Sequence, residues 1–271
     1  MVDGIIDAHM HYFRQTPETL AEVAQDYQRC GIALSIAMGT GGVPGRPGVP
    51  DGVVPPWSVW CAGIDSSAIG EGEALQRQLS DFRHALQESR CVGLKMYCGY
   101  HYFYPHDPRH IPFLELAEEM DLPVVLHCGD TAGSRGKVRY AHPLEVDELA
   151  MNFPRIRFVI AHFGNPWIVD AAEVAAKNDN VFLDLSGLVE GPLDVAEFQK
   201  TYRAYLDHLK LWITYLGDPS KFLYGSDWPL TGNREYIQLM AELMPEKWHG
   251  DFFRNNAMRV FPKIGTILTE S

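Results

Sequence analysis

Apolar residues in this chain gather in short runs rich in Val, Ile and aromatic side chains, separated by longer stretches in which apolar positions recur every three or four residues. The short runs are GIIDAH, IALSIAM, WSVWCAGI, VGLKMYC, PVVLHC, IRFVIAHF, NVFLDLSG and KFLYGSDW. Each is apolar almost throughout, as expected of strands covered on both faces rather than half-exposed ones. Eight such strands alternating with amphipathic segments predict βα units and a parallel sheet.

The clearest helix is TPETLAEVAQDYQRCG, where Thr16 can cap, Pro17 sits in the first turn and Gly31 closes the helix. Residues 107–121, 142–153, 165–178 and 194–216 read as helices before the fifth to eighth strands, and 246–261 as a final helix. One unit departs from this pattern. After the second strand comes MGTGGVPGRPGVPDGVVPPW, half Gly and Pro, which cannot sustain a helix. The second helix is therefore expected to be missing. The loop over 38–56 is either a surface insertion or a functional segment at the carboxyl end of a strand.

Composition narrows the class. At 271 residues the chain suits one large α/β domain, and an α/β barrel takes about 250. With 46% hydrophobic and 21% charged residues it reads as globular, and no apolar run approaches the roughly 18 residues of a membrane span. A net charge of -12 disfavours nucleic acid and anionic lipid as partners and leaves a small molecule as the expected one. Arg135, Lys137 and Arg139 nevertheless form a local cationic cluster. The five cysteines show neither CxxC spacing nor disulfide density, and the start of the chain shows no secretory signal. A reducing cytoplasm is the expected location. A homo-oligomer is compatible with the sequence, but no interface is legible in it.

Within IIDAHMHYF, strand alternation puts Asp7, His9 and His11 on one face of an apolar run. Four of the eight strands end in a metal-ligating residue type: His9 and His11 on the first, His127 on the fifth, His162 on the sixth and Asp227 on the eighth. Lys95 ends another. In a closed barrel these carboxyl ends meet at one mouth, where neutral imidazoles and a carboxylate suit zinc first, and also Mn, Fe or Co. Asp7 lies one step deeper, as a group supporting the ligands or a buried barrel residue. Asp184 either reaches the mouth or caps a loop. His84, His106, His110, His208 and His249 fall on helices or loops and read as surface or packing residues.

IIDAHMH, GLKMY, VVLHCGD, VIAHFGN and YGSDWP, in this order and spacing, resemble the amidohydrolase superfamily over essentially the whole chain. The similarity is to its amidohydrolase-related branch, which also includes aromatic-acid decarboxylases, lactonases and hydratases. The resemblance implies a single-domain, distorted (β/α)8 TIM barrel with one or two divalent metal ions. It makes His9 and His11 ligands of the more buried metal, with Asp227 completing that sphere, and His127 a further ligand. It makes His162 either a second-metal ligand or a group beside the reacting carbonyl. Lys95 is then either a carboxylated bridge between two metals or a contact to a substrate carboxylate.

A metal-dependent hydrolase is the expected activity, cleaving an amide, lactone or ester of a small, anionic substrate. Asp227 and His162 would be its catalytic residues. Lys95, Tyr97, Arg135 and Arg139 are the expected substrate contacts, and the cluster Tyr97, Tyr100, His101, Tyr102, Phe103 and Tyr104 leaves the fourth strand at the mouth. Decarboxylation of an aromatic or enol acid is the rival within the same branch, and a nuclease is disfavoured by the acidic balance. From another class, the chain could be a retired barrel that only binds. None of the expected ligand positions is lost.

Overall fold

A computed structural model describes residues 4–12, 16–40, 47–48 and 54–270. Eight strands pair in parallel and in chain order: β1 (Ile5–Met10), β2 (Ile32–Met38), β3 (Ser58–Ile64), β4 (Cys91–Met96), β5 (Val124–Leu126), β6 (Phe158–Ile160), β7 (Val181–Asp184) and β8 (Phe222–Leu223). Backbone bonds between the β8 and β1 regions nearly close the ring. The Ala8 N–H donates to the Tyr224 carbonyl, the Asp227 N–H to the His9 carbonyl and the His11 N–H to the Trp228 carbonyl, each at 2.8 Å. The chain is a (β/α)8 barrel, as expected.

Helix α1 (Pro17–Cys30) follows β1, and α2 (Glu73–Gln87) follows β3. A single turn α3 (Cys98–His101) and α4 (Ile111–Glu119) follow β4, then α5 (Leu144–Asn152) and α6 (Ile168–Lys177) follow β5 and β6. After β7 come α7 (Val195–Thr201) and α8 (Arg203–Leu216), and after β8 come α9 (Asn233–Leu243), α10 (Asn256–Val260) and α11 (Lys263–Glu270). The ends of α1 are those expected. Thr16 and Thr19 exchange a reciprocal cap, with N···O distances of 3.3 and 2.8 Å, and Gly31 closes the helix at φ 73°.

Among the described residues no helix joins β2 to β3. Residues 41–46 and 49–53 of the Gly/Pro-rich segment lie outside the described part. What is described explains the glycines. Gly48 pairs antiparallel with Gly63 at 2.7 and 2.9 Å, and a Cβ on Gly63 would sit 2.2 Å from the Gly39 carbonyl oxygen. A side chain there would prevent the segment from passing so close to the strand ends.

Two cores result from the pleat. Ile6, Ile36, Val59, Val125, Val159 and Leu223, drawn from strands around the sheet, meet in its lumen. Ala257, Val260, Phe261 and Ile264 of the α10–α11 region complete that cluster. The same region reaches the amino-terminal ends of the strands. There the Arg254 guanidinium donates to the Gly4 carbonyl at 2.6 Å and Lys263 Nζ to the Cys91 carbonyl at 2.9 Å. A larger cluster, including Tyr27, Phe113, Leu149, Ala172 and Leu209, lies between strands and helices.

Two helix expectations need correction. The stretch 194–216 breaks at Tyr202 (φ -108°, ψ 28°) into α7 and α8. The stretch 246–261 is a 3-10 turn, a π-helical turn over Asp251–Asn255 and then α10, because the Phe252 carbonyl accepts from the Tyr224 N–H at 3.1 Å. Strands β5, β6 and β8 are also shorter than their apolar runs. His127, His162 and Asp227 therefore stand beyond the hydrogen-bonded ladder, with His162 (φ 59°) and Asp227 (φ 58°) in the left-handed region where a strand cannot continue.

Candidate metal centre

His9 is fully buried, and its Nδ1 lies 2.9 Å from Asp184 Oδ2. A carboxylate only accepts, so Nδ1 carries the proton and Nε2 is left with a bare lone pair. Among the described residues that Nε2 has no hydrogen-bond partner, and Asp227 Oδ1 stands 3.6 Å away. His11 Nε2 lies 3.3 Å from the same oxygen, and the three ligand atoms fall within 4.8 Å of one another. Ligand atoms held about 2.1 Å from a tetrahedral ion stand about 3.4 Å apart, which these spacings match. Two imidazole nitrogens and a carboxylate oxygen thus fit one divalent cation.

Asp184, expected at the mouth or in a loop cap, is the hub beneath this group. Its Oδ2 takes the His9 ring, while Oδ1 accepts from the His162 and Ser186 backbone N–H groups at 3.1 Å each and from the Ser186 hydroxyl. Burial favours its protonated form, but His9, His162 and Ser186 outweigh burial and hold the carboxyl below the usual range. Burial, reinforced by the charge on Lys95, pushes the His9 imidazole down to about 4 against the pull of Asp184 and Asp227, so the ring stays neutral and able to ligate. Asp184→Asn keeps the size of the side chain but removes the charge that fixes this tautomer. Zinc affinity, read by competition with a chelating dye, is expected to fall about 10- to 100-fold.

Asp7 differs from the simple alternation read in the sequence. The β1–β2 register slips between Asp7 and Met10, and the Asp7 carboxyl turns to Ser226, accepting from its N–H at 2.9 Å and its hydroxyl at 2.6 Å. It also accepts from the His9 backbone N–H, at 3.2 Å. It braces the ligand-bearing strand against the β8 loop. Burial pushes its pKa up to about 7, against the pull of Ser226.

His127 and His162 form a second group. His127 Nε2 contacts the Asp130 carbonyl at 2.8 Å, so that nitrogen must carry a proton. His162 Nδ1 contacts the Ser186 carbonyl at 3.2 Å and its hydroxyl oxygen at 3.0 Å, and that hydroxyl gives its own proton to Asp184. His162 Nδ1 is therefore protonated too. Both neutral rings then turn bare lone pairs toward each other, His127 Nδ1 to His162 Nε2, at 3.1 Å. Only a shared proton or a cation makes that contact favourable. Burial, then His162 and Lys95, hold His127 well below the usual imidazole range, which disfavours the proton.

Lys95 is fully buried, its Nζ has no hydrogen-bond partner among the described residues, and it stands 5.0 Å from the centre of the Tyr97 ring. Burial lowers its pKa, opposed by the charges of Asp184 and Asp227. Above the centre opens a cavity of ≈ 400 Å³ lined by His11, Tyr97, Tyr100, His101, His127, His162 and Asp227, together with Thr40, Asp130, Gly187 and Glu190 among others. Gly187 is essential to that shape. At φ 60° it favours glycine, and a Cβ would come within 2.8 Å of Asp227 Oδ2 and 2.9 Å of His162 Nδ1.

The two expected arginine contacts are elsewhere. Arg139 bonds the Tyr104 hydroxyl at 2.8 and 3.1 Å on the exposed outer loop. Arg135 is exposed and offers its carbonyl to the Tyr102 hydroxyl at 2.5 Å. Neither lines the cavity, because both follow the loop after β5 outward. Asp130, Ser186 and Glu190 were not singled out in the sequence. Only the Asp184–x–Ser186 spacing after β7 offered a signal. His110, read as packing, is buried between the Pro105 carbonyl and the Ser66 hydroxyl. All five cysteines are buried and unpaired.

A nearly closed parallel barrel carrying these side chains at its carboxyl end defines an amidohydrolase-superfamily protein. A family profile described as Amidohydrolase matches residues 72–263, and the chain belongs to that family. No curated protein sequence matches. Among solved structures, the barrel is similar to an uncharacterized TIM-barrel protein of Bordetella bronchiseptica (15% identity, 97% of this chain and 99% of that one, TM-score 0.68). It is also similar to 5-carboxyvanillate decarboxylase of Sphingomonas paucimobilis (13%, 96% and 99%, TM-score 0.63). A third is 4-oxalomesaconate hydratase of Rhodopseudomonas palustris (16%, 98% and 98%, TM-score 0.57). At these identities the likeness shows the fold. No helix among the described residues is long and apolar enough to cross a membrane.

Proposed function

We propose that this protein is a metal-dependent hydrolase that cleaves an amide, lactone or ester bond of a small substrate. The observation that carries the reading is the convergence of His9 Nε2, His11 Nε2 and Asp227 Oδ1 on one point at the wall of the cavity. His9, His11 and Asp227 would hold the first divalent ion, zinc before Mn, Fe or Co. The facing lone pairs of His127 and His162 would hold a second, with Lys95 beside them. A bound cation there supplies Lewis acidity, lowering the pKa of water and polarising a carbonyl.

The chain supplies the proton transfers and the orientation. Asp227, ionised and bordering the cavity, takes the proton of the attacking water and returns it to the leaving nitrogen or oxygen. If the centre takes a single ion, His162, pinned by Ser186, would instead stand beside the reacting carbonyl. Decarboxylation is the second reading, supported by the likeness to decarboxylases acting on 5-carboxyvanillate and 2,6-dihydroxybenzoate. The charges on the cavity favour hydrolysis: among the described residues no Arg or Lys lines it, whereas Asp130 and Glu190 do, so a carboxylated ring finds no cationic side chain there.

The test is metal content and turnover together. Zinc-loaded protein is expected to hold one or two ions per chain and to release acid from dihydrocoumarin, an aryl ester or an anilide, with activity lost on chelation. Carbon dioxide release from 2,6-dihydroxybenzoate without any hydrolysis would move the assignment to the decarboxylase reading. Metal-free protein after loading would remove both.

A further inference from the structure

Tyr97 and His101 lie on one wall of the cavity, at the start and end of the turn that follows β4. The Tyr97 hydroxyl is buried and has no hydrogen-bond partner among the described residues, an arrangement that costs free energy unless something else accepts its proton. A phenol keeps its proton at neutral pH, so the hydroxyl remains a donor. His101 Nδ1 accepts the Ser66 N–H at 3.3 Å, which places the ring proton on Nε2. The acceptor nearest that nitrogen among its acidic neighbours, Asp65 Oδ1, is 3.9 Å away, beyond a hydrogen bond. Burial lowers the His101 pKa against the pull of Asp65, which keeps the ring neutral. The wall thus presents two uncharged donors. The remaining charged groups on the described lining are the carboxylates Asp130, Glu190 and Asp227.

We propose that Tyr97 and His101 determine specificity here, gripping an uncharged oxygen acceptor of the substrate, a carbonyl, ether or hydroxyl oxygen, so that the site takes a neutral ring compound ahead of its carboxylated counterpart. A neutral acceptor takes these two donors without meeting like charge, whereas a carboxylate held on this wall is repelled by Asp130 and Glu190. The proposal rests on reading this cavity as the substrate site of a hydrolase.

The test measures binding by calorimetry to the zinc-loaded full chain, with 4-hydroxyacetophenone as the neutral probe and 4-hydroxybenzoate as its carboxylated match. The ketone is expected to bind more tightly than the benzoate. Tyr97→Phe and His101→Leu should each weaken the ketone by about 10-fold, the loss of one hydrogen bond. Zinc content and benzoate affinity should not change. His101→Gln, which keeps an N–H, should recover part of the loss. Tyr97→Phe should leave the melting temperature unchanged or raise it, since it removes a buried unpartnered hydroxyl, whereas a structural role would lower it. Tighter binding of the benzoate, no binding of the ketone to the unsubstituted protein, or ketone affinities within twofold of it in both Tyr97→Phe and His101→Leu would overturn the proposal. Dihydrocoumarin left uncleaved while ketone binding follows the expected pattern would defeat the hydrolase reading and leave this one standing.

Discussion

Asp227→Asn is expected to lower kcat/KM by about 10³-fold, within the range for losing a positioned proton acceptor, when measured at a zinc concentration that saturates the protein. Among the described residues Asp227 is the one carboxylate that belongs to both the His9–His11 group and the cavity lining. Its Oδ1 faces His9 and His11, while Oδ2 stands 4.0 Å from His162 Nδ1. Burial alone would protonate it, but His11, His162 and His9 together outweigh burial and keep it ionised. The left-handed backbone at φ 58° and the bond to the His9 carbonyl aim it, so its position does not depend on side-chain packing alone. Asparagine keeps the size and one ligating oxygen but cannot take a proton. Saturating zinc therefore separates the two duties of this residue. Restored zinc occupancy with kcat/KM still depressed assigns it the proton, whereas activity within threefold of wild type would show that proton transfer lies elsewhere.

The barrel was legible because its signal is periodic. Eight apolar runs alternate with helical stretches, and the strands and helices follow that alternation. The candidate ligands were legible because β1 carries two histidines together and the others stand where apolar runs end. Side-chain direction beyond the ladder was not. Strict alternation placed Asp7 with the histidines, but the register slip in β1 sends its carboxyl to Ser226. Arg139 lies close in sequence to Asp130, yet it is held on the outer loop by Tyr104, because a loop has no period to say which way a side chain turns. Asp184 was undervalued for a related reason. Its importance comes from joining His9 of β1 with His162 after β6, residues that only the closed ring brings together.

Replacing His9 and His11 by alanine together is expected to abolish metal-dependent turnover and to remove the ion held with Asp227. The Asp227 carboxylate that remains cannot hold a zinc ion alone against competing water, since structural and catalytic zinc sites use at least three protein ligands. The variant also tests how many ions the site takes. His127 and His162 keep their own supports, the Asp130 carbonyl and Ser186, and neither bond passes through β1. If that pair holds an ion independently, elemental analysis should show the content falling from two ions per chain to one. If the centre takes a single ion, it should fall from one to none. His9→Ala also frees Asp184 Oδ2, and the two replacements together strip Asp227 of two of the three imidazoles that keep it ionised, so the metal-free variant buries less well compensated charge. Its stability should drop by about 3 kcal/mol, the cost of breaking a buried pair, read by urea unfolding against metal-free wild type. Zinc content and turnover both unchanged in the double variant would mean that the convergence of these three atoms is not the metal centre.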